Sequence, residues 1–335
     1  MTKPFRGVYT IPATPFTENG QLDEVGLKNI VEFCVGCGAH GLVYPVNASG
    51  FSTLSDEERL RGSRIVIEQN AGRIPVMIGV QGVCTEHAIM FAREANAMGA
   101  DAVIAMTPYI VKFNQPDMVV GYYRAISDAI SIPVCIQNHA VGSELSVATM
   151  ARVIKEVEHV EYVKEETLPV THKITQLIEA CGPKLKGVFG GAGGRYILLE
   201  YPRGCIGQMP GCHLTDVVVR LWNALDAGDW AEAKRIYCLM NPIFAIETQC
   251  PGAIYKEVLR RRGVIGYAGS RNQAPDVMDE YDHRALDEIL HDLEPLMTWR
   301  SEHGILYGPP YPTFGKAIRP SESAPRSGGL EPFDR

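Results

Sequence analysis

In the segment Val160-Glu161-Tyr162-Val163-Lys164-Glu165-Glu166-Thr167, β-branched and aromatic residues come first and charged residues follow. The start of this segment is typical of a β-strand. Side chains alternate between the two faces of a strand, so Tyr162, Lys164 and Glu166 are predicted to share one face. If that face is buried, the amine of Lys164 readily loses its proton and can attack a carbonyl carbon to form a Schiff base. If the face is exposed, the same residues form an ordinary solvated Lys/Glu cluster, and the segment alone leaves both interpretations open.

A regular alternation of strand and helix patterns runs along most of the chain. Strands are predicted over residues 7–16, 40–46, 74–80, 102–106, 132–138, 160–167, 185–189 and 205–209. Helical patterns follow the first seven, over residues 23–37, 55–69, 85–98, 116–130, 146–157, 170–181 and 196–201, and a capping box, Ser55-Asp-Glu-Glu58, opens the second. The strands are largely apolar on both faces, as buried parallel strands require. Eight strand–helix units predict an α/β fold closed into a (β/α)8 TIM barrel.

An open, doubly wound sheet that binds a dinucleotide is the alternative for such a pattern. That fold usually carries a glycine-rich phosphate loop, G-x-G-x-x-G, directly after its first strand. Here the first predicted strand ends in Thr14-Pro15-Phe16 instead. The barrel is therefore the favoured fold.

Further helices and a tail follow the last predicted barrel strand. Helical patterns cover residues 213–227, 230–244, 254–262 and 285–299, and the first of these can serve as the eighth barrel helix. We predict a catalytic barrel over residues 1–212 and a C-terminal helical lobe over residues 213–300. Residues 301–335 are rich in Pro, Gly and Ser. Such a tail cannot build a core, so it is expected to be disordered or to drape over a neighbouring subunit.

Composition excludes several classes of protein. The formal net charge of −7 and the lack of a long basic run argue against a nucleic-acid partner. The sequence has no apolar run of about 18 residues and no signal peptide pattern, so no membrane partner is expected and a cytoplasmic location is predicted. The nine cysteines are scattered, and Cys34-Val-Gly-Cys37 has no second pair at zinc spacing. They are interpreted as reduced thiols rather than metal ligands.

The predicted strand ends carry the candidate chemistry, because the active site of such a barrel lies at the C-terminal ends of its strands. Polar residues collect there, and Lys164 is the only lysine among them. A single lysine among hydroxyl, amide and glycine residues suits a 2-oxo acid. The amine takes the ketone carbon, while Ser49 and nearby backbone N–H groups hold the carboxylate. No metal or organic cofactor is expected, since the lysine supplies the electron sink.

The sequence around the predicted strand ends resembles the pyruvate-dependent class I aldolase superfamily typified by dihydrodipicolinate synthase and N-acetylneuraminate lyase. The similarity covers residues 7–299 and rests on Thr14-Pro-Phe16, the segment 47–59, Pro108-Tyr109, the strand with Lys164, and the last strand with Ile206. It implies a (β/α)8 barrel, a Schiff base on Lys164, and a homo-oligomer, either a dimer or a tetramer. Together with the strand ends it gives the candidate substrate-binding residues Asn47, Ser49, Gly50, Tyr109, Gln137, Gly190 and Ile206.

The chain departs from this family at two strand ends. The family's Tyr-Asn-x-Pro on strand five is replaced by Gln137-Asn138-His139-Ala140, and residues 141–144 offer no substrate-binding arginine. Gln137 cannot relay protons as the tyrosine does, so synthase activity is not expected. Glu166, in phase with Lys164, and His139, in phase with Gln137, are new ionisable groups. This combination is similar to the branch that contains L-2-keto-3-deoxyarabonate dehydratase.

The resemblance implies a Schiff-base lyase that dehydrates a 2-keto-3-deoxy sugar acid, with Lys164 as nucleophile and Glu166 and His139 as candidate acid–base residues. An aldolase that cleaves or forms a 2-oxo acid from pyruvate and an aldehyde is the first alternative. A non-catalytic paralogue that binds a 2-oxo acid is the second. On the structural side, Glu166 could instead pair with an arginine at the rim, and His139 could be a packed, hydrogen-bonded histidine.

Overall fold

The structure is a computed structural model that describes residues 5–113, 115–271, 277–299 and 301–308. Its eight parallel strands are β1 (Gly7–Thr10), β2 (Gly41–Tyr44), β3 (Val76–Gly79), β4 (Ala102–Ala105), β5 (Val134–Asn138), β6 (Val160–Glu165), β7 (Gly187–Gly190) and β8 (Gly207–Gln208). Each strand pairs with the next, and β8 pairs with β1, so the sheet closes. The predicted (β/α)8 barrel is therefore confirmed.

The helices lie outside and beyond this barrel. They are α1 (Glu24–Gly36), α2 (Asp56–Asn70), α3 (Thr85–Ala97), α4 (Pro116–Ser127), α5 (Val147–Glu156), α6 (Val170–Cys181), α7 (Ile197–Glu200), α8 (Thr215–Asp226), α9 (Trp230–Met240), α10 (Ile243–Gln249), α11 (Ala253–Arg261) and α12 (Glu280–Leu293). The predicted capping box is present at the start of α2, where Ser55 and Glu58 exchange hydrogen bonds of 3.2 and 3.0 Å. None of the helices in the described part of the chain is long and apolar enough to cross a membrane.

One predicted helix is wrong. Residues 230–244 were expected to form a continuous helix, but α9 ends at Met240 and α10 begins at Ile243. The break falls at Asn241 and Pro242. Proline has no backbone N–H and its ring clashes with the carbonyl one turn earlier, so it stops a helix that the apolar pattern alone would continue.

Two layers of core explain why the strands are apolar on both faces. An inner cluster inside the barrel includes Tyr9, Met77, Tyr162 and Phe189. A larger cluster lies between the strands and the surrounding helices. The side chain of Tyr162 belongs to the inner cluster. Because the strand period is two residues, Lys164 lies on the same inward face, nearer the C-terminal end of the barrel.

A buried ion pair connects the last barrel helix, α8, to the C-terminal helices. Asp216 on α8 and Arg262, directly after α11, lie 2.6 Å apart with both side chains fully buried. Asp216 also accepts a hydrogen bond of 2.8 Å from the backbone N–H of Thr298. The division of the chain at residue 212 stays a prediction. Most of the predicted tail, residues 309–335, lies outside the described residues.

Candidate active site

A cavity of about 590 Å³ opens at the C-terminal ends of the strands. Its volume is within the range of small-molecule sites. One wall is formed by the barrel, with Lys164, Glu166 and His139. The opposite wall comes from the C-terminal helices, with Glu247, Tyr255 and Lys256 among its residues. The predicted site at this end of the barrel therefore coincides with a real concave surface.

Lys164 is buried inside the mouth of the barrel and is only 2% exposed. It lies on β6 opposite Gln137 of β5 and Phe189 of β7. Its Nζ is 2.7 Å from Oε1 of Glu166, the distance of a charge-assisted hydrogen bond. The strand period predicts that Glu166 shares the face of Lys164, and the structure places the two groups in contact.

The carboxylate of Glu166 is surrounded by the other polar side chains of the candidate site. Besides the bond to Lys164, its Oε1 accepts a hydrogen bond of 2.9 Å from Nε2 of Gln137. Its Oε2 lies 3.5 Å from Nε2 of His139. Glu166 therefore has an ion pair with Lys164, a hydrogen bond from Gln137 and His139 as a third polar neighbour. The alternative in which Glu166 pairs with a rim arginine is wrong, since its ionic partner is Lys164.

His139 is a neutral donor rather than a second cation. Its Nδ1 accepts a hydrogen bond of 3.0 Å from the backbone N–H of Val141, which places the ring proton on Nε2, the atom that faces Glu166. Burial lowers the pKa of His139 because it disfavours the charged imidazolium. His139 is thus both packed and hydrogen-bonded, and it also lines the cavity.

A second network fixes the ends of β5 and β6 from the outside of the barrel. Glu165 is fully buried and accepts hydrogen bonds from Asn138 Nδ2 at 2.9 and 3.0 Å. The backbone N–H of Thr167 donates to the same carboxylate at 2.8 Å, and Lys173 donates to the Thr167 hydroxyl. Burial raises the pKa of Glu165. These contacts hold the backbone on both sides of Glu166, so they orient that side chain inward.

The glycine at position 191 makes room for the Lys164–Glu166 pair. A Cβ at Gly191 would lie 2.0 Å from Cγ of Glu166 and 3.0 Å from Cε of Lys164. Gly190, the residue chosen from the sequence, instead faces Glu200 and Gln208 outside the cavity. The sequence located the correct glycine run but not the glycine that contacts the site, because a shift of one residue reverses the face of a strand.

The turn after β2 forms part of the cavity lining. Asn47 and Ser49 lie in a short 3-10 turn that lines the cavity, and Gly50 follows with φ of 73°. The backbone N–H groups of Ser49 and Gly50 donate within the turn, at 2.9 Å each, so they are already occupied. The Ser49 hydroxyl accepts from the Val46 N–H at 3.3 Å and keeps its own proton for a ligand. Nδ2 of Asn47 is buried and has no partner among the described residues.

Three other predicted substrate-binding residues do not line the described cavity. Gln137 lies behind Glu166 and supports it. Tyr109 packs edge-on against Phe51, with ring centroids 5.3 Å apart. Ile206 packs against the inner core, beside Gly187. Met209, directly after β8, lines the cavity instead. These residues hold the walls of the site rather than facing a ligand in it.

Sequence reasoning missed the wall formed by the C-terminal helices. Tyr255 and Lys256 on α11, together with Arg195 after β7 and Arg271, line the cavity. The ring of Tyr255 stacks on His213 at 4.7 Å, and burial raises the pKa of its hydroxyl. No local signal marks these residues, since Tyr255 and Lys256 look like an ordinary helix face in the sequence. Within the described ranges, no group of three or more His, Cys, Asp or Glu side chains could hold a metal.

The fold and the site together are those of an enzyme. A closed (β/α)8 barrel whose mouth holds a buried lysine beside a carboxylate is an enzyme scaffold with its polar groups where barrel enzymes perform chemistry. The family follows from comparison. The model of the dihydrodipicolinate synthetase family matches residues 4–287, so the chain belongs to this family. Its named relatives are synthases and a dehydratase, and the protein is a lyase.

Curated relatives carry two different names. The chain is 31% identical over 297 residues to an L-2-keto-3-deoxyarabonate dehydratase of Azospirillum brasilense, covering 87% of this chain and 96% of the relative. It is 34% identical over 260 residues to a 4-hydroxy-tetrahydrodipicolinate synthase of Nitrobacter hamburgensis, covering 74% and 83%.

Solved structures share the fold. The dihydrodipicolinate synthase of Thermotoga maritima superposes with a TM-score of 0.79 at 22% identity, over 88% of this chain and 100% of that one. That of Aquifex aeolicus gives a TM-score of 0.79 at 23% identity, over 87% and 99%.

Proposed function

We propose that this lyase forms a Schiff base through Lys164 and dehydrates a 2-keto-3-deoxy sugar acid. The observation that carries the proposal is the pair of Lys164 and Glu166, 2.7 Å apart at the mouth of the barrel. Gln137 and His139 complete the surroundings of this carboxylate. The Schiff base requires an amine and the dehydration requires a base, and the two groups lie next to each other.

The steps follow from the chemistry of an iminium ion. The neutral amine of Lys164 attacks C2 of the 2-oxo acid, and loss of water gives the iminium. The iminium acidifies the protons on C3, so a base removes one and the electron pair enters the enamine. Those electrons then expel the C4 hydroxyl, which leaves as water after it gains a proton. Glu166, as a carboxylate, is the proposed base, and hydrolysis of the conjugated iminium returns the free lysine.

The end of β5 favours dehydration over aldol cleavage. Cleavage removes a proton from the C4 hydroxyl, the step for which the family tyrosine is suited. Here that position is Gln137, whose amide donates to Glu166 and cannot exchange a proton. The dehydratase named among the curated relatives, which matches along 96% of its own length, supports the same choice. Aldol chemistry stays the second candidate because synthases are also similar to this chain.

The product separates these reactions. With 2-keto-3-deoxyarabonate we expect a product lighter by one water, detected by mass spectrometry, and no pyruvate in an assay coupled to lactate dehydrogenase. Release of pyruvate with an aldehyde would show an aldolase and contradict the proposed dehydration. Tight binding of 2-oxo acids without any product, and without a covalent adduct after borohydride reduction, would identify a non-catalytic paralogue.

We also propose a homo-oligomer, a dimer or a tetramer. The loops after β4 and β6 lie at the same end of the barrel and carry Ile110, Val111 and Leu168, which are 70%, 68% and 72% exposed. Large exposed apolar side chains at one end of a barrel are candidates for a subunit contact. The cytoplasmic location and the lack of a nucleic-acid partner stay predictions from composition.

Sedimentation at micromolar concentration is expected to give the mass of a dimer or a tetramer. The double variant Ile110→Asp/Val111→Asp should lower that mass, because it places two charges in the apolar contact. Val25→Asp, at an equally exposed valine on α1, should leave the mass unchanged. A monomeric mass for the unmodified chain would contradict the oligomer.

A further inference from the structure

Lys256 brings a buried amine to the cavity from the side opposite the barrel. It lies on α11, is 6% exposed, and lines the same cavity as Lys164. Its Nζ donates a hydrogen bond of 3.0 Å to the carbonyl oxygen of Gly269 and lies 4.6 Å from the centroid of the Phe16 ring. The amine is therefore held in a defined place by one carbonyl and one aromatic face.

This amine has no carboxylate partner in the described part of the chain. The next residue, Glu257, is used by Arg260 and Arg261, with bonds of 2.8 to 2.9 Å. Burial, helped by the charge of Arg271, lowers the pKa of Lys256 to about 7. A buried cation without a counter-ion is costly, whereas an anion beside it would restore the charged form. The environment of Lys256 therefore suits an amine whose counter-ion is a bound ligand.

The two arginines that line the cavity make contacts of their own. Arg271 donates to both carboxylate oxygens of Glu58, at 2.6 and 2.7 Å, and to the carbonyl oxygens of Gly20 and Thr53. That contact lowers the pKa of Glu58 to about 2. Arg195 donates to the Phe244 carbonyl and the Thr248 hydroxyl, at 3.0 Å each. Both of these bonds come from Nη2 of Arg195, which is only half-buried, so Lys256 is set apart on this wall by being buried without a carboxylate partner among the described residues.

The geometry points to a second anion subsite in the cavity, in which Lys256 binds a negatively charged group at the far end of the substrate. The inference rests on the proposed function, because the 2-oxo acid end of the same molecule is assigned to Lys164 and the turn after β2. The chemical class is a 2-oxo acid with a terminal carboxylate or a terminal phosphate monoester. Within the proposed class of 2-keto-3-deoxy sugar acids, 2-keto-3-deoxyarabonate ends in a neutral hydroxyl, so it would be turned over without this contact and would bind more weakly than an acid with an anionic end.

Equilibrium binding to the full-length protein tests the subsite without turnover. Calorimetry would compare 2-oxoadipate with 2-oxohexanoate, two six-carbon 2-oxo acids that differ only in the charge at the far end. We expect the dicarboxylate to bind about 10- to 100-fold more tightly, the value of one charge-assisted contact. 2-Oxo-5-phosphonopentanoate distinguishes the two anions: tighter binding than 2-oxoadipate assigns a phosphate, and weaker binding assigns a carboxylate.

Variants assign that preference to Lys256. Lys256→Gln should remove the preference, Lys256→Arg should keep most of it, and Lys234→Gln, at an exposed lysine on α9, should not change it. Circular dichroism establishes that each variant is folded. Equal affinity of the unmodified protein for the two six-carbon acids, or a preference that survives in folded Lys256→Gln, would overturn the subsite. Borohydride trapping of pyruvate on Lys164 is measured separately, and its failure would overturn the proposed function instead.

Discussion

Lys164→Met is expected to abolish turnover of the proposed substrate, with a loss on the order of 10⁴–10⁶-fold, as for other covalent nucleophiles. Methionine has a similar length and no amine, so it fills the space of the lysine but cannot form the iminium. The same variant should lose all covalent mass gain when pyruvate and borohydride are added. Peptide mapping of the unmodified protein should place the reduced adduct on Lys164.

The cavity offers its own control for this experiment, since it contains a second buried lysine. Lys256 lies on α11 and Lys164 on β6, and both line the cavity. Among the described residues, Lys164 has a carboxylate partner, Glu166 at 2.7 Å, and Lys256 has none. An adduct mapped to Lys256, or an adduct that persists in Lys164→Met, would show that the wrong amine has been chosen. Lys164→Arg, which keeps the charge beside Glu166, separates loss of the nucleophile from loss of the ion pair.

The barrel and the central pair could be predicted because they depend on local periodicity. Alternation along residues 160–167 places Tyr162, Lys164 and Glu166 on one face whatever surrounds the strand. Closure of the sheet then decides that this face is the interior, and Tyr162 in the inner core confirms it. The contacts of Glu166 with Gln137 and His139 could not be predicted in the same way, because they depend on how β5 is placed beside β6.

The other wall of the cavity could not be predicted from the sequence. Lys256 and Tyr255 reach the mouth because α11 packs across it, and the helix pattern does not state which barrel end it covers. In the sequence, Lys256 stands beside Glu257 and near three arginines, a pattern typical of a solvated face. Burial of such charges depends on tertiary packing and on ion pairs such as Asp216 with Arg262. The choice of Gly190 over Gly191 failed for a smaller reason, a difference of one residue at a strand end.

Glu166→Gln is expected to separate formation of the Schiff base from dehydration. The substitution keeps the size of the side chain but removes its charge and its capacity to take a proton. Acid–base groups of this kind contribute about 10²–10⁴-fold, so kcat with 2-keto-3-deoxyarabonate should fall by that factor. Lys164 remains in place, and reduction with borohydride in the presence of pyruvate should still add mass to it. Glu161→Gln, on the same strand but in an ion pair with Lys186 near the surface, is the matched control and should keep turnover.

The geometry around Glu166 sharpens what each outcome of this experiment means. Its Oε1 forms an ion pair with Lys164 and accepts a hydrogen bond from Gln137, and its Oε2 faces Nε2 of His139. A glutamine at position 166 can accept through one atom only, and its amide group would face a donor, Gln137 or His139, wherever it turned. Loss of both trapping and turnover would therefore assign Glu166 to deprotonation of Lys164. Loss of turnover with trapping retained would assign it to the proton on C3. Turnover within a few-fold of the unmodified enzyme would exclude both roles and leave His139 as the remaining acid–base residue predicted from the sequence.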